Sequence, residues 1–251
     1  MPSRKSRATW RSSNPEPGVE HNHLVTFRFL PATLCGLLVT AFPASSASLE
    51  QVLAAMDKAA ASFRGMSASL RQSTYTAVIK DTSEETGTIR LQRCGKKDVR
   101  VRIEFGEPDM RTVAFAGQKA EIYYPRIQTA QVYDLGKHRQ LVDQFLLLGF
   151  GMSGREIQEG YSLKVAGEEK IGGEPVTRLE LTPKSAAVRG YLTEVHLWVS
   201  ASGTPVQQKF YKPSGDHTLI TYSGLQVNPG FPKDALALKL PPGVKREYPQ
   251  K

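Results

Sequence analysis

The chain has 251 residues, 40% hydrophobic and 23% charged, with a formal net charge of +9. That balance is ordinary for a globular protein and excludes a disordered or collagen-like chain. Sixteen prolines and 21 glycines, spread along the whole length, suit short strands and turns better than long helices.

Residues 1–23 are polar and basic. Arg28 then precedes an apolar run from Phe29 to Ala44, and small residues follow as Ala44-Ser45-Ser46-Ala47-Ser48. A basic flank, a short apolar core and a small-x-small site make a secretory signal peptide. Pro31, Gly36 and Pro43 interrupt the run, which is short for a membrane span; an uncleaved anchor is the alternative. Cleavage is expected after Ala47, leaving residues 48–251 as one domain. Cys35 follows Leu34, where a lipidation site needs a small residue, and more apolar sequence comes after it. It is therefore assigned to the discarded segment. Cys94 then stands alone, so no internal disulfide is expected, and a small buried side chain is its simplest role. Removing the five cations and two anions of residues 1–47 leaves a formal charge of +6. An exported chain without helix-turn-helix, zinc or aromatic-platform motifs points away from nucleic acid. Its mild positive charge suits anionic lipid headgroups or an acidic protein face, and equally suits solubility alone.

Leu49, Val52, Leu53, Met56, Ala60 and Phe63 recur at helical spacing, predicting an opening helix ended by Gly65. Alternation then takes over. Ile89 and Leu91 share one face of a strand at 88–93. Val99, Val101, Ile103 and Phe105 share one face of the next, with Arg100, Arg102 and Glu104 on the other. The few residues between them predict an antiparallel hairpin. Strands follow near 111–116, 119–124, 129–134, 175–182, 192–199, 206–212 and 217–223. The pattern predicts an α+β, mainly β, fold: a meander of about ten or eleven strands that curls into a barrel or half-barrel. Lys137 to Phe150 interrupts it with a helix carrying Leu141, Val142, Phe145, Leu146, Leu147 and Leu148, followed by a short partner near Gly154–Glu159. A helix this apolar either covers the open face of the sheet or plugs its core.

Catalytic patterns are missing from the sequence. His138, His196 and His217 lack metal-ligand spacing, and no nucleophile-elbow, zinc or phosphate-loop motif occurs. The chain reads as a binding protein without cofactor or metal, not an enzyme. One residue breaks the apolar parity: Arg93 shares a face with Ile89 and Leu91. A guanidinium there must find acceptors or reach water at a rim. Unpaired carbonyls at the end of a covering helix would serve, and so would a carboxylate at the rim.

Several segments, taken in order, resemble the outer-membrane lipoprotein carrier family, LolA. They are Ser67-Ala68-Ser69-Leu70-Arg71-Gln72, Gly87-Thr88-Ile89-Arg90-Leu91-Gln92-Arg93, Gly117 to Pro125, Leu179 to Lys184, and Leu240-Pro241-Pro242-Gly243-Val244. Cys94, Ala116, Ala120 and Ile122 depart from the family pattern. The resemblance implies an unclosed antiparallel β-barrel with a helical lid, acting as a monomeric periplasmic carrier. Such a carrier shields the acyl chains of lipoproteins between an inner-membrane exporter and an outer-membrane receptor. It implies that Arg93 holds the lid by bonding helix carbonyls. The ligand-facing set would be Leu91, Arg93, Val99, Val101, Ile103 and Phe105 on the sheet, with Phe145 and Leu148 on the lid. A related module for a free lipid or glycolipid, or an envelope-stress sensor domain, is the alternative.

Overall fold

The computed structural model describes residues 47–95, 98–232 and 234–250; the expected signal segment and Cys35 lie outside them. The described chain opens with α1 (Leu49–Ser62). Ser48 caps it, accepting from the Gln51 amide while the Gln51 side chain accepts from the Ser48 amide, so two otherwise unpaired donors are satisfied at once. The helix ends at Ser62 rather than at Gly65. Gly65 instead begins β1, where a Cβ would sit 2.5 Å from the Leu91 carbonyl oxygen. Close passage of two strands, not helix termination, requires glycine there.

The strands are β1 (Gly65–Thr76), β2 (Asp81–Arg93), β3 (Val99–Phe105), β4 (Arg111–Ala116), β5 (Lys119–Tyr124) and β6 (Thr129–Asp134), then β7 (Tyr161–Ile171), β8 (Glu174–Pro183), β9 (Glu194–Ser200), β10 (Pro205–Tyr211), β11 (His217–Val227) and β12 (Lys245–Glu247). Between β6 and β7 lie α2 (Arg139–Leu147) and α3 (Gly154–Gly160); α4 (Ala186–Arg189) follows β8. All twelve strands form one sheet, ordered β12-β6-β5-β4-β3-β2-β1-β11-β10-β9-β8-β7. The ladders are antiparallel except for β12, which runs parallel to β6. The edges β12 and β7 do not pair, so the sheet curls without closing. This is the expected unclosed antiparallel barrel with helices.

β1, β7 and β12 were not expected from the sequence, nor was the first half of β2, which was expected only over 88–93. Asp81–Thr86, the start of β2, runs past the end of β3, whose last partner there is Gly87. This half of the β1–β2 hairpin is polar on both faces and hides the alternation. β7 carries a bulge between Val165 and Gly167, which breaks its period. Its Lys164, Glu168, Glu169 and Lys170 are the kind of charges that guard a sheet edge. β12 is three residues long.

Cys94 is exposed, not buried as expected. It lies just beyond β2, where its amide donates to the Asp98 carbonyl at 2.7 Å, so the turn carries its side chain away from the core.

Residues 228–232 and 234–244 cross the outer face of the sheet. Asn228 donates its amide to the Gly65 carbonyl at 2.7 Å, Arg102 donates to the Ala237 carbonyl at 3.0 Å, and Lys245 donates its amide to Gln128 at 2.9 Å. Ala114, Tyr123, Ala130 and Val132 share parity with Arg102 and Glu121 on that face and are buried, as is Leu236 of the crossing segment.

Candidate functional site

The inner, concave face carries two apolar clusters. The first joins Val52, Leu53 and Met56 of α1 to Leu179, Leu181, Val195, Leu197 and Val199 of β8 and β9. The second joins Phe63, Met66, Ala68, Leu70, Ile89, Leu91, Val99, Val101, Phe105 and Tyr222, and its centre is capped by Phe150. Strand pairing makes the second cluster continuous. Met66 faces Leu91, Leu91 faces Val101, and Val101 faces Phe115 across three ladders.

The segment after α2 fills the space between the clusters. α2 stops at Leu147, whose carbonyl accepts from the amides of both Phe150 (2.9 Å) and Gly151 (3.0 Å). Gly149 takes φ +82°, a left-handed conformation that glycine adopts without strain. The reversal turns the Leu148 carbonyl toward the barrel and seats Phe150 edge-on against Tyr222, ring centroids 5.1 Å apart. All four residues from Leu148 to Gly151 are buried.

Two side chains hold this lid from below, and a third anchors the helix before it. Arg93 donates through Nη2 to the Gly151 carbonyl. A Cβ on Gly151 would stand 2.8 Å from that nitrogen and 3.0 Å from the Phe63 ring, so glycine at 151 leaves room for the guanidinium in this position. Gln208 of β10 donates from Nε2 to the Leu148 carbonyl at 2.7 Å. Its Oε1 accepts from the Tyr222 hydroxyl, also at 2.7 Å, which fixes which end of the amide faces the lid. Burial pushes the Tyr222 phenol well above its ordinary value, so it stays a neutral donor. At the start of α2, buried Arg139 donates to the Val99 carbonyl and pairs with Asp143 at 2.8 Å. Beside this anchor a cavity of about 920 Å³ is lined in part by Arg93, Val99, Leu147, Met152 and Tyr161.

The structure therefore brings Leu91, Val99, Val101 and Phe105 together in the second cluster, with Ile103 packed at its margin. Arg93 sits at its lid end. Phe145 and Leu148 are not part of that cluster: both pack in the first one, beside α1. From the lid, Phe150 joins the second cluster, and Leu146 and Leu147 pack against it. For Leu148 the expectation extended helical periodicity past Leu147, where the chain has already turned; Phe145, inside α2, packs on the side that meets the first cluster. Sequence reasoning also missed Gln208 and Tyr222. Both lie on strands, where an inward glutamine looks the same as an outward one unless its neighbours' parity is followed. Gln208 shares parity with Phe210, and it pairs with inward Leu197.

At the far end of the same face the apolar surface gives way to charge. Arg111 pairs with Glu85, Gln72 donates to Glu85 at 3.3 Å, and the Arg111 guanidinium lies 4.0 Å over the Phe105 ring. The Glu85 bond holds the Arg111 guanidinium above its ordinary value.

The family described as outer membrane lipoprotein carrier protein LolA matches residues 61–238. The chain belongs to the LolA family. Curated proteins give no match. Among solved structures, this LolA-family chain is similar to a chain of the Pseudomonas aeruginosa MucA/MucB complex, at 17% identity and a TM-score of 0.43, covering 77% of this chain but only 62% of that one. A putative outer membrane lipoprotein-sorting protein domain from Vibrio parahaemolyticus matches at 13% identity and a TM-score of 0.40, covering 76% of this chain and 97% of that one. Lipoprotein LppX from Mycobacterium tuberculosis matches at 13% identity and a TM-score of 0.45, covering 73% and 97%. Among the described residues no helix is long and apolar enough to cross a membrane.

Proposed function

We propose that this chain is a periplasmic carrier that shields the acyl chains of lipoproteins between an inner-membrane exporter and an outer-membrane receptor, after residues 1–47 are removed as an export signal. It acts as a binding protein, not an enzyme. The observation that carries the reading is the Leu148–Gly151 segment, an apolar insert seated on the concave face by hydrogen bonds to its own backbone. Burial of a CH₂ is worth about 0.8 kcal/mol, so a multiply acylated protein cannot cross water unaided. A carrier must cover those chains and still give them up. A lid held by a few hydrogen bonds, each worth about 1.5–3 kcal/mol where the donor is charged, is weak enough for an entering chain to displace. Its return then favours release.

Arg93 is the latch on this reading. Arg93→Leu should retain loaded lipoprotein and transfer it poorly, because the empty, closed state loses its main polar contact. Arg93→Lys should keep part of the transfer, since an ammonium donates but lacks the planar fork. Each variant is loaded with labelled lipoprotein, and movement to acceptor membranes bearing the receptor is followed. Loading and unloading of Arg93→Leu at wild-type rates would show that Arg93 is not a latch. Failure of the wild-type protein to load at all would remove the carrier reading.

A further inference from the structure

We propose that Gln208 is a recognition residue for the linkage carbonyl of the cargo, so that the site selects chains joined through an ester or amide over chains joined through an ether. The inference rests on the carrier reading and deepens it. It starts from what the lid offers the barrel in the closed state: an aromatic side chain, Phe150, flanked by the Leu148 and Gly151 carbonyls, which take hydrogen bonds from Gln208 and Arg93. An apolar group between carbonyl acceptors is also the chemistry of an acyl chain at its point of attachment.

The two donors differ in what they can do when the lid leaves. Arg93 is only part-buried, at the end of β2 on the rim of the large cavity, and its long side chain can follow the retreating lid or turn to water. Gln208 cannot. It is 4% exposed, lies between the two clusters, and is held by the Tyr222 hydroxyl, which occupies its Oε1 and leaves Nε2 aimed at the lid position. Tyr222 is itself buried and, as a phenol, can serve Oε1 only as the donor. Once Leu148 departs, the Gln208 Nε2 is a buried donor without an acceptor, which is costly in an apolar site. A hydrocarbon chain supplies none. The carbonyl of an acyl ester or amide does, with the chain then running along the space that Phe150 vacates beside Leu91, Val101 and Tyr222. The fit of the lid is tight here as well: a Cβ on Gly149 would lie 3.0 Å from the Pro205 ring and 3.6 Å from Nε2 of Gln208.

The test uses two short-chain phosphatidylglycerols, dioctanoyl and di-O-octyl, which differ only in the two linkage carbonyls. Each is titrated against an apolar fluorescent amine bound to the purified protein, and displacement gives the relative affinities. Wild type should prefer the ester by about tenfold, the factor that one well-formed hydrogen bond commands. Gln208→Leu should bring the two within about twofold, mostly by weakening the ester. Tyr222→Phe, which keeps the ring but frees the amide to rotate, should give an intermediate preference; it carries the test if Gln208→Leu does not fold. Equal binding of ester and ether by wild type, or an undiminished preference in both variants, overturns the proposal while leaving the carrier reading intact. If neither lipid displaces the probe, the carrier reading fails and the proposal fails with it.

Discussion

The cluster under α1 and the cluster under Phe150 line the same concave face, but different kinds of chain close them. The first is covered by a capped helix of fourteen residues whose Val52, Leu53 and Met56 press onto β8 and β9. Among its buried members every residue is apolar except for the Tyr161 hydroxyl. The second is covered by a loop end, Leu148–Gly151, held by backbone carbonyls. Both are fringed by partly buried apolar side chains, Leu163, Val165 and Phe210 in the first and Ile103, Val113 and Phe115 in the second. The half under α1 is finished by a helix, to which the lid adds Leu148. The half under Phe150 is closed by the loop end, as a site that exchanges a piece of its own chain for a ligand requires.

Truncation should separate the two halves most sharply. Leu197→Ala, in the finished half and fully buried, should cost about 2–5 kcal/mol, because the cavity left behind has nothing to fill it. Phe150→Ala removes more atoms yet should cost only about 1–2 kcal/mol, below the roughly 3–5 kcal/mol usual for a buried phenylalanine, because the loop that carries it is held by a few hydrogen bonds and can shift to let solvent or an apolar probe fill the slot. The same variant should take up an apolar fluorescent probe more readily than wild type. Urea denaturation and probe titration measure both. Equal destabilisation by the two substitutions, with no gain in probe uptake, would mean that both halves are ordinary core.

Much of the second half was legible because it obeys strand parity. β3 alternates Val99, Val101, Ile103 and Phe105 with Arg100, Arg102 and Glu104, and a sheet with one face buried makes that alternation visible. Arg93 stood out for the same reason, as a charge on an apolar face. The lid was half legible. A helix followed from the leucine-rich run, which left open whether it covered the sheet or plugged its core, and its contacts did not follow: Gly149 turns the chain, and residues beyond a turn follow no helical period. Gln208 was hidden by its type, since a buried glutamine is recognised only by its partners, and those are Leu148, 60 residues before it, and Tyr222 on the neighbouring strand. The crossing segment at 228–244 has no period at all. It is held by single hydrogen bonds, such as Arg102 to Ala237, that no sequence pattern announces.

Parity itself can be tested by charge. Val101→Glu puts a carboxylate on the inner face, where its desolvation works against any acyl chain, and should reduce binding of the dioctanoyl lipid about tenfold or more. Arg100→Glu, one position away on the outer face and exposed, should change it less than about twofold. Arg102 is the poorer control, since it ties the crossing segment to the sheet and its loss would disturb the fold. Both variants are compared after confirming cooperative unfolding. A loss confined to Arg100→Glu would place the ligand on the outer face.

Acid should have the smallest effect, and its sign follows from the carboxylates behind each half. Burial alone would raise the Glu104 carboxyl, but Arg90 and Arg102 outweigh it and hold it below its ordinary 4.5. The Lys164 hydrogen bond does the same for Glu180 behind the finished half, with Arg178 and His196 adding to it. The Ala77 amide, with the Ser214 hydroxyl, lowers Asp216 in the turn before β11. A group whose folded value is depressed takes its proton first in the unfolded chain, so its stabilisation is complete above the ordinary carboxylate range and is lost as pH falls through the folded value. His217 has the same sign at higher pH. Burial, then the neighbouring Lys209, lowers it below 6.5, so its neutral ring, stacked 5.0 Å from Tyr75, favours the fold until acid begins to charge the unfolded chain's histidine. The urea midpoint should therefore be flat from pH 8 to 7, fall slightly from about 6.5 to 5, and fall more steeply below about 4.5. His217→Gln should remove the upper, shallow fall and leave the lower one. Arg90→Gln and Lys164→Gln should each soften the lower fall by releasing one carboxylate. A midpoint that rises between pH 6.5 and 5 in the wild-type protein would mean that the folded state prefers His217 charged, and that the stack on Tyr75 works through a cation instead of a neutral ring.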